Sequence, residues 1–226
     1  MGDVVRLSEL EKKVEDSIRG SSTPRFRPNV LNVSELPFCH RKAFLLRAEN
    51  IGTKLNGMML SGTLFHEQIP RYLSKIKEFK NAKYEISCNE TIGDLQIRGR
   101  ADVVTDDCVY EFKYSAVKTG LDNIPINHML QGNAYANMLN IKKYVIAVIN
   151  SFRLTPVFLE FKRDKKAYSK FCDGAVKLND CINSDILPEK KPSSKRECQY
   201  CQVRVKCDQL KIMEEYENLE GLELMP

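Results

Sequence analysis

The sequence predicts a layered α/β (α+β) fold around one mixed sheet. The hydrophobic period is helical up to about residue 79, alternates between residues 84 and 114, and then runs helix, two strands, helix. Gly93-Asp94 and Asp106-Asp107 supply turns that divide the alternating stretch into three strands. The chain has 226 residues, 42% hydrophobic and 29% charged, which suits one good-sized globular domain and excludes wholesale disorder, collagen and a disulfide-stapled miniprotein.

Taken in order, Val5, Leu7, Leu10, Val14 and Ile18 mark a first helix over residues 4–19. A loop with Pro24 and Pro28 follows. Ser34 reads as the N-cap of a helix with Pro37 in its first turn, running to about Arg47 and carrying Cys39. A second helix is predicted from Leu60 to Phe79 and carries His66. The strands are Tyr84–Ile92, Leu95–Thr105 and Cys108–Tyr114, followed by a helix over Ile126–Leu139. Tyr144–Asn150 and Val157–Phe161 read as two more strands, and Asp164 caps a long helix to about Asn183. The polar run 188–197 reads as a linker before a group of cysteines and an acidic helix. The expected division is an N-terminal helix and loop (1–33), a core (34–187), and a C-terminal linker, cysteine motif and tail (188–226).

The net charge is +5, but residues 208–226 hold six acids and one base, so residues 1–207 carry 34 bases against 24 acids. A basic body suits a phosphate-bearing partner, and a lysine-rich solvated surface explains it about as well. No apolar run approaches the roughly 20 residues of a membrane span. The N-terminus lacks the apolar core of a signal peptide, so a cytoplasmic protein is expected and the sequons at Asn32 and Asn89 carry little meaning.

The most informative stretch is GRADVVTDDCVYEFKYS, residues 99–115. Asp102 lies on one predicted strand. Glu111 and Lys113 lie on the next, two apart and hence on one face. A short hairpin brings Asp102 beside Glu111. Adjacent carboxylates repel, and a hard divalent cation such as Mg²⁺ or Mn²⁺ resolves the conflict. Lys113 would point at the same site to orient water or stabilise transition-state charge. A solvent face with a cross-strand ion pair is the bland alternative. The apolar flanks Val103, Val104, Val109, Tyr110 and Phe112 weigh against it, because charged groups in buried strands need a partner.

Asp102 followed by Glu111-Phe112-Lys113 resembles the PD-(D/E)xK restriction-endonuclease-like nuclease core. His66 in GTLFHE resembles the upstream histidine of its RecB-like branch, and Gln131 and Tyr135 in LQGNAYANML resemble that branch's Q-x3-Y helix. The resemblance implies that His66, Asp102, Glu111 and the Phe112 carbonyl hold the metal, that Lys113 positions water, and that Gln131 and Tyr135 support Lys113 or the scissile phosphate.

Cys198, Cys201 and Cys207 form C-x2-C-x5-C, with Cys39 standing 159 positions upstream; Cys88, Cys108, Cys172 and Cys181 read as core residues. Zinc with Cys39, His40 or His128 as fourth ligand is one reading, and an iron–sulfur cluster is the other. The one-plus-three arrangement around a RecB-like core resembles the iron–sulfur nucleases, AddB-type domains and the CRISPR-associated Cas-four family. The chain length is nearer the latter. That resemblance implies a [4Fe-4S] cluster, preferred over [2Fe-2S], on Cys39, Cys198, Cys201 and Cys207, pinning the C-terminal arm to an N-terminal helix. Cys39 is followed by His40 where the family more often shows proline. The implied function is a DNA exonuclease trimming single-stranded ends or overhangs, processing prespacers in CRISPR adaptation beside integrase proteins, with a homo-oligomer as a possible assembly. The alternatives are a repair or restriction-type endonuclease on the same core, or a DNA-binding subunit with a vestigial site.

Overall fold

The computed structural model describes residues 8–19, 26–52, 57–116 and 124–210. Their elements are α1 (Ser8–Arg19), β1 (Val30–Asn32), α2 (His40–Ala48), α3 (Gly57–Leu73), a 3-10 turn (Lys77–Phe79), β2 (Lys83–Ile92), β3 (Leu95–Val104), β4 (Cys108–Ser115), α4 (Ile126–Met138), β5 (Lys143–Asn150), β6 (Pro156–Lys162), α5 (Lys165–Asn183) and α6 (Lys195–Gln199). A further helix covers residues 204–210. Among the described residues no helix is long and apolar enough to cross a membrane.

Six strands form one mixed sheet in the order β1-β3-β4-β5-β6, with β2 also on β3. β2 and β3 make a long antiparallel hairpin across Gly93-Asp94. β4 runs parallel to β5 over its full length, from Cys108↔Lys143 to Ser115↔Asn150, and α4 is the crossover between them. β3 pairs with β4 only at Val103↔Tyr110 and Val104↔Val109. Further along, the same edge of β3 pairs with β1 at Gln96, Ile97 and Arg98. The stretch of β3 between these two partners, which contains Asp102, borders a fork in the sheet.

The sheet is covered on both faces. One core joins Ile97, Val109, Ile146 and Val148 to α2, α4 and α5 through Phe44, Ala134, Tyr135, Phe171 and Leu178. The other joins Val103, Phe112, Val145 and Ala147 to α3 and the 3-10 turn through Ile69, Leu73 and Phe79. β5 is buried on both faces, as a central parallel strand requires. Asp164 caps α5 by accepting from the Ala167 N–H, as its position before that helix predicts.

Three expectations change. The helix after Ser34 begins at His40, with Cys39 rather than Ser34 at its N-cap. Residues 33–38 form turns instead, because the Glu35 carboxylate accepts from the Asn32 N–H at 2.6 Å and from both Arg47 terminal nitrogens at 2.9 and 2.7 Å. The helix expected to reach Phe79 stops at Leu73, and tighter turns follow, with Ile76 N–H donating to Leu73 O and Phe79 N–H to Ile76 O. Strand β1 lies where only a loop was expected; three residues give too short a period to read. Residues 4–7 of the first expected helix and residues 211–226 of the acidic tail lie outside the described residues.

The C-terminal arm returns to α2. Arg41, 6% exposed, donates to the Pro188 carbonyl at 2.6 Å, and the Cys39 N–H donates to Glu197 Oε1 at 2.8 Å. Val203 and Cys207 are buried in the first core.

Candidate active site

The sheet fork opens into a cleft of about 790 Å³ lined by His66, Glu85, Asp102, Glu111, Lys113, Gln131 and Tyr135, with Arg98, Arg100 and Tyr114 among its other walls. Asp102 reaches across the fork. Its Oδ2 accepts from the Phe112 N–H at 2.7 Å, replacing a ladder bond, while Oδ1 lies 3.3 Å from His66 Nδ1 on α3. Phe112 turns its ring into the second core, edge-on to Phe158.

Glu111 and Lys113 share the α4 face of β4. Lys113 Nζ donates to Glu111 Oε1 at 2.6 Å and to Gln131 Oε1 at 2.9 Å. Gln131 Nε2 in turn donates to the Tyr135 hydroxyl at 3.2 Å. One helical turn separates Gln131 and Tyr135, so α4 presents both to Lys113. Gly132 lets α4 approach β5, because a Cβ there would meet Tyr144 Cδ2 at 2.7 Å and Ile146 Cδ1 at 2.9 Å.

Glu111 is 2% exposed, and its Oε2 has no hydrogen-bond partner among the described residues. Burial pushes its carboxyl well up; the Lys113 charge opposes this and Asp102 adds to it. For His66, burial favours the neutral ring. The hydrogen bond and charge of Asp102, with the charge of Glu111, outweigh it and hold the imidazole above its ordinary value. An orphaned buried carboxylate oxygen beside a second carboxylate and a histidine is a donor set suited to a hard divalent cation.

Sequence reasoning missed Glu85. His66, Asp102 and Glu85 each offer a ligand atom within 4.8 Å of the other two, whereas Glu111 lines the same cleft without joining that set. The signal was readable once Asp102 was suspected. Antiparallel pairing through the Gly93 turn places Tyr84 opposite Val103 and Ile86 opposite Ala101, so Glu85 faces Asp102.

Cys39, Cys198, Cys201 and Cys207 line a second, small cavity together with Lys42 and Lys190. All four are free thiols. Neither His40 nor His128 lines it. His40 Nε2 contacts the Leu36 carbonyl at 3.3 Å, and His128 is a half-buried residue of α4 whose desolvation lowers its pKa to about 4. Cys88 and Cys108 are buried and Cys172 and Cys181 pack against the core, as expected.

No family model and no curated protein matches the sequence. Solved structures do. The chain is similar to SSO0001 (TM-score 0.60, 20% identity, covering 89% of this chain and 96% of that one). It is similar to the alkaline exonuclease LHK-Exo from Laribacter hongkongensis (TM-score 0.53, 12% identity, 71% and 91% covered) and to the same enzyme in complex with dAMP (TM-score 0.53, 12% identity, 69% and 89% covered). The chain thus shares with these structures a fold built on a central mixed sheet flanked by helices.

Proposed function

We propose that the chain is a Mg²⁺- or Mn²⁺-dependent deoxyribonuclease that trims single-stranded DNA ends. The carrying observation is the connected set Glu111–Lys113–Gln131–Tyr135 facing Asp102 and His66 across one open cleft. A likeness in fold to an exonuclease that binds dAMP, a deoxynucleoside monophosphate, supports the same substrate class.

His66, Asp102, Glu111 and the Phe112 carbonyl hold the cation in this reading. The cation supplies charge neutralisation for the phosphodiester and lowers the pKa of water. Lys113, fixed by two acceptors, orients the nucleophilic water and stabilises charge on the phosphorus oxygens. Gln131 and Tyr135 hold Lys113 in place. Arg98 and Arg100 on the cleft wall contact backbone phosphates, and the stacked Phe65–Tyr114 pair at its edge offers a ring for an unpaired base.

The cysteine cavity carries a [4Fe-4S] cluster in this reading. Its support is that Cys39, Cys198, Cys201 and Cys207 line one cavity, and thiolate sets of this kind hold iron–sulfur clusters. Residues 34–187 then form the nuclease core and 188–226 the cluster-bearing arm, acting in CRISPR adaptation on prespacer ends delivered to integrase proteins.

The test uses end-labelled single strands, overhanging duplexes and closed circles with Mg²⁺ or Mn²⁺. Ladder-like shortening that stops with chelator and is absent in Asp102→Ala supports the reading. Cleavage of closed circles favours an endonuclease, and inertness with every metal favours a binding subunit. Shortening of overhangs to a defined length only when integrase is present supports the role in adaptation.

A further inference from the structure

The geometry points to Glu85 as a metal-binding residue that completes, with His66 and Asp102, a divalent-cation site on the β2 side of the cleft. This inference rests on the reading that the cleft works with a divalent cation, and adds a ligand outside the motif set.

Three observations carry it. The first is distance. Opposite ligands of an octahedral ion sit about 4.2 Å apart when each bond is about 2.1 Å. One atom each of His66, Asp102 and Glu85 already lies within 4.8 Å of the others, so small side-chain movements close the set. The second is the orphaned Oε2 of Glu111, a 2% exposed carboxylate on the wall of the same cleft. A buried carboxyl oxygen without a hydrogen-bond partner is satisfied by a cation in the space it faces. The third is the backbone. Glu85 has φ of 55°, in the left-handed region that a glutamate rarely adopts. It lies between Tyr84 and Ile86, whose partners Val103 and Ala101 flank Asp102, so the strained backbone places a second carboxylate beside the first. One nitrogen and two carboxylate ligands favour Mn²⁺ over Mg²⁺.

The rival role is a clamp. Glu85 is ion-paired with Arg100 on β3, and its side chain is 36% exposed. A clamp needs both partners equally, whereas a ligand needs only Glu85.

The experiment titrates Mn²⁺ into the full chain, stripped by chelator and exchanged, and reads free Mn²⁺ by electron paramagnetic resonance. Glu85→Gln is expected to weaken a Mn²⁺ site at least tenfold with little change in melting temperature. Arg100→Gln is expected to leave that site as tight or tighter. Should Glu85→Gln fold poorly, Glu85→Gly relieves the left-handed strain and is expected to melt higher than wild type while losing the same site. Mn²⁺ affinity of the Glu85 variant within twofold of wild type overturns the inference, as does equal weakening in Arg100→Gln or no Mn²⁺ binding by wild type. Cleavage is scored in parallel. A wild type that cuts while Glu85→Gln binds normally sinks the ligand role and leaves the nuclease reading standing. Glu85-dependent Mn²⁺ binding without cleavage does the reverse.

Discussion

Gly99 of β3 packs against the ring of Tyr135 on α4. A Cβ at residue 99 would overlap that ring and approach Val33 Cγ2 to 2.9 Å. The missing side chain therefore sets how close α4 sits to the sheet, and so where Gln131 meets Lys113. A glycine that reads in sequence as part of GRAD, three residues before Asp102, acts through a helix residue 36 positions away.

Gly99→Ala should lower stability by about 1–3 kcal/mol, because the ring it strikes is 3% exposed and hydrogen-bonded by Gln131. For a domain of this size that is on the order of 2–4 °C of melting temperature per kcal/mol. The cleavage rate should fall further than the stability loss alone explains, because Tyr135 and Gln131 shift together. Thermal melts beside single-turnover rates decide it; unchanged melting would show that Tyr135 yields freely.

In the chelator-treated protein, stability should fall as pH rises from about 5 to about 8. Both cleft groups act in the same direction. The Glu111 carboxyl is raised above its ordinary 4.5 by burial, so the folded state keeps a proton that the unfolded chain has lost. That stabilisation is fully present below 4.5 and is lost as pH rises through the folded value. His66 is raised above its ordinary 6.5, so its contribution is full below 6.5 and lost above the folded value. Glu111→Gln should flatten the profile, and Mn²⁺ should restore stability at the alkaline end. Melting temperatures across this range, with and without Mn²⁺, provide the check; a rise toward pH 8 without metal would contradict it.

The local signals of most elements were strong. The β2–β3–β4 meander, α4, β5, β6 and α5 lie within two residues of their expected ends, because period, turn pairs and the Asp164 cap agree there. Helix ends set by distant side chains were not legible. Arg47 holds Glu35 in a turn, and nothing local to Ser34 reveals that. For the same reason the motif order pointed to Asp102, Glu111, Lys113, Gln131 and Tyr135 but not to Glu85, whose place in the cleft depends on cross-strand register and a left-handed backbone rather than on a motif.

The cysteine arm supplies a separate test. The purified protein should be brown and contain iron. Because Cys39 and Cys198–Cys207 close a long loop, a bound cluster adds its binding energy to folding. Cys201→Ser should bleach the colour and lower the melting temperature by something on the order of 10 °C. A chelator that stops cleavage should leave the colour, since thiolates and carboxylates hold ions of different softness. Iron content, zinc content and the visible spectrum read this out; stoichiometric zinc without iron would reject the cluster.

The sharpest test is Lys113→Ala. Lys113 Nζ lies between Glu111 Oε1 and Gln131 Oε1, with its side chain 21% exposed at the cleft wall. In the proposed reaction it acts on the attacking water and on charge that develops only in the transition state. Interactions of that kind lower the chemical rate when removed and leave ground-state binding nearly intact. Losing one such charge costs roughly 3 kcal/mol or more, about two orders of magnitude in rate. Affinity for the strand should change far less, because many lysines and arginines share the phosphates. The competing role is structural: Lys113 would merely neutralise the buried Glu111, and its loss would leave that carboxylate unpaired and the protein less stable. The two roles separate in Lys113→Arg, which keeps the charge beside Glu111 but cannot place a compact ammonium against the water. Folding should recover in the arginine variant while single-turnover cleavage of a labelled strand stays low, with binding measured in Ca²⁺. Alanine or arginine variants that cut within a few-fold of wild type would remove Lys113 from the chemistry and leave the carboxylates without their water-positioning partner.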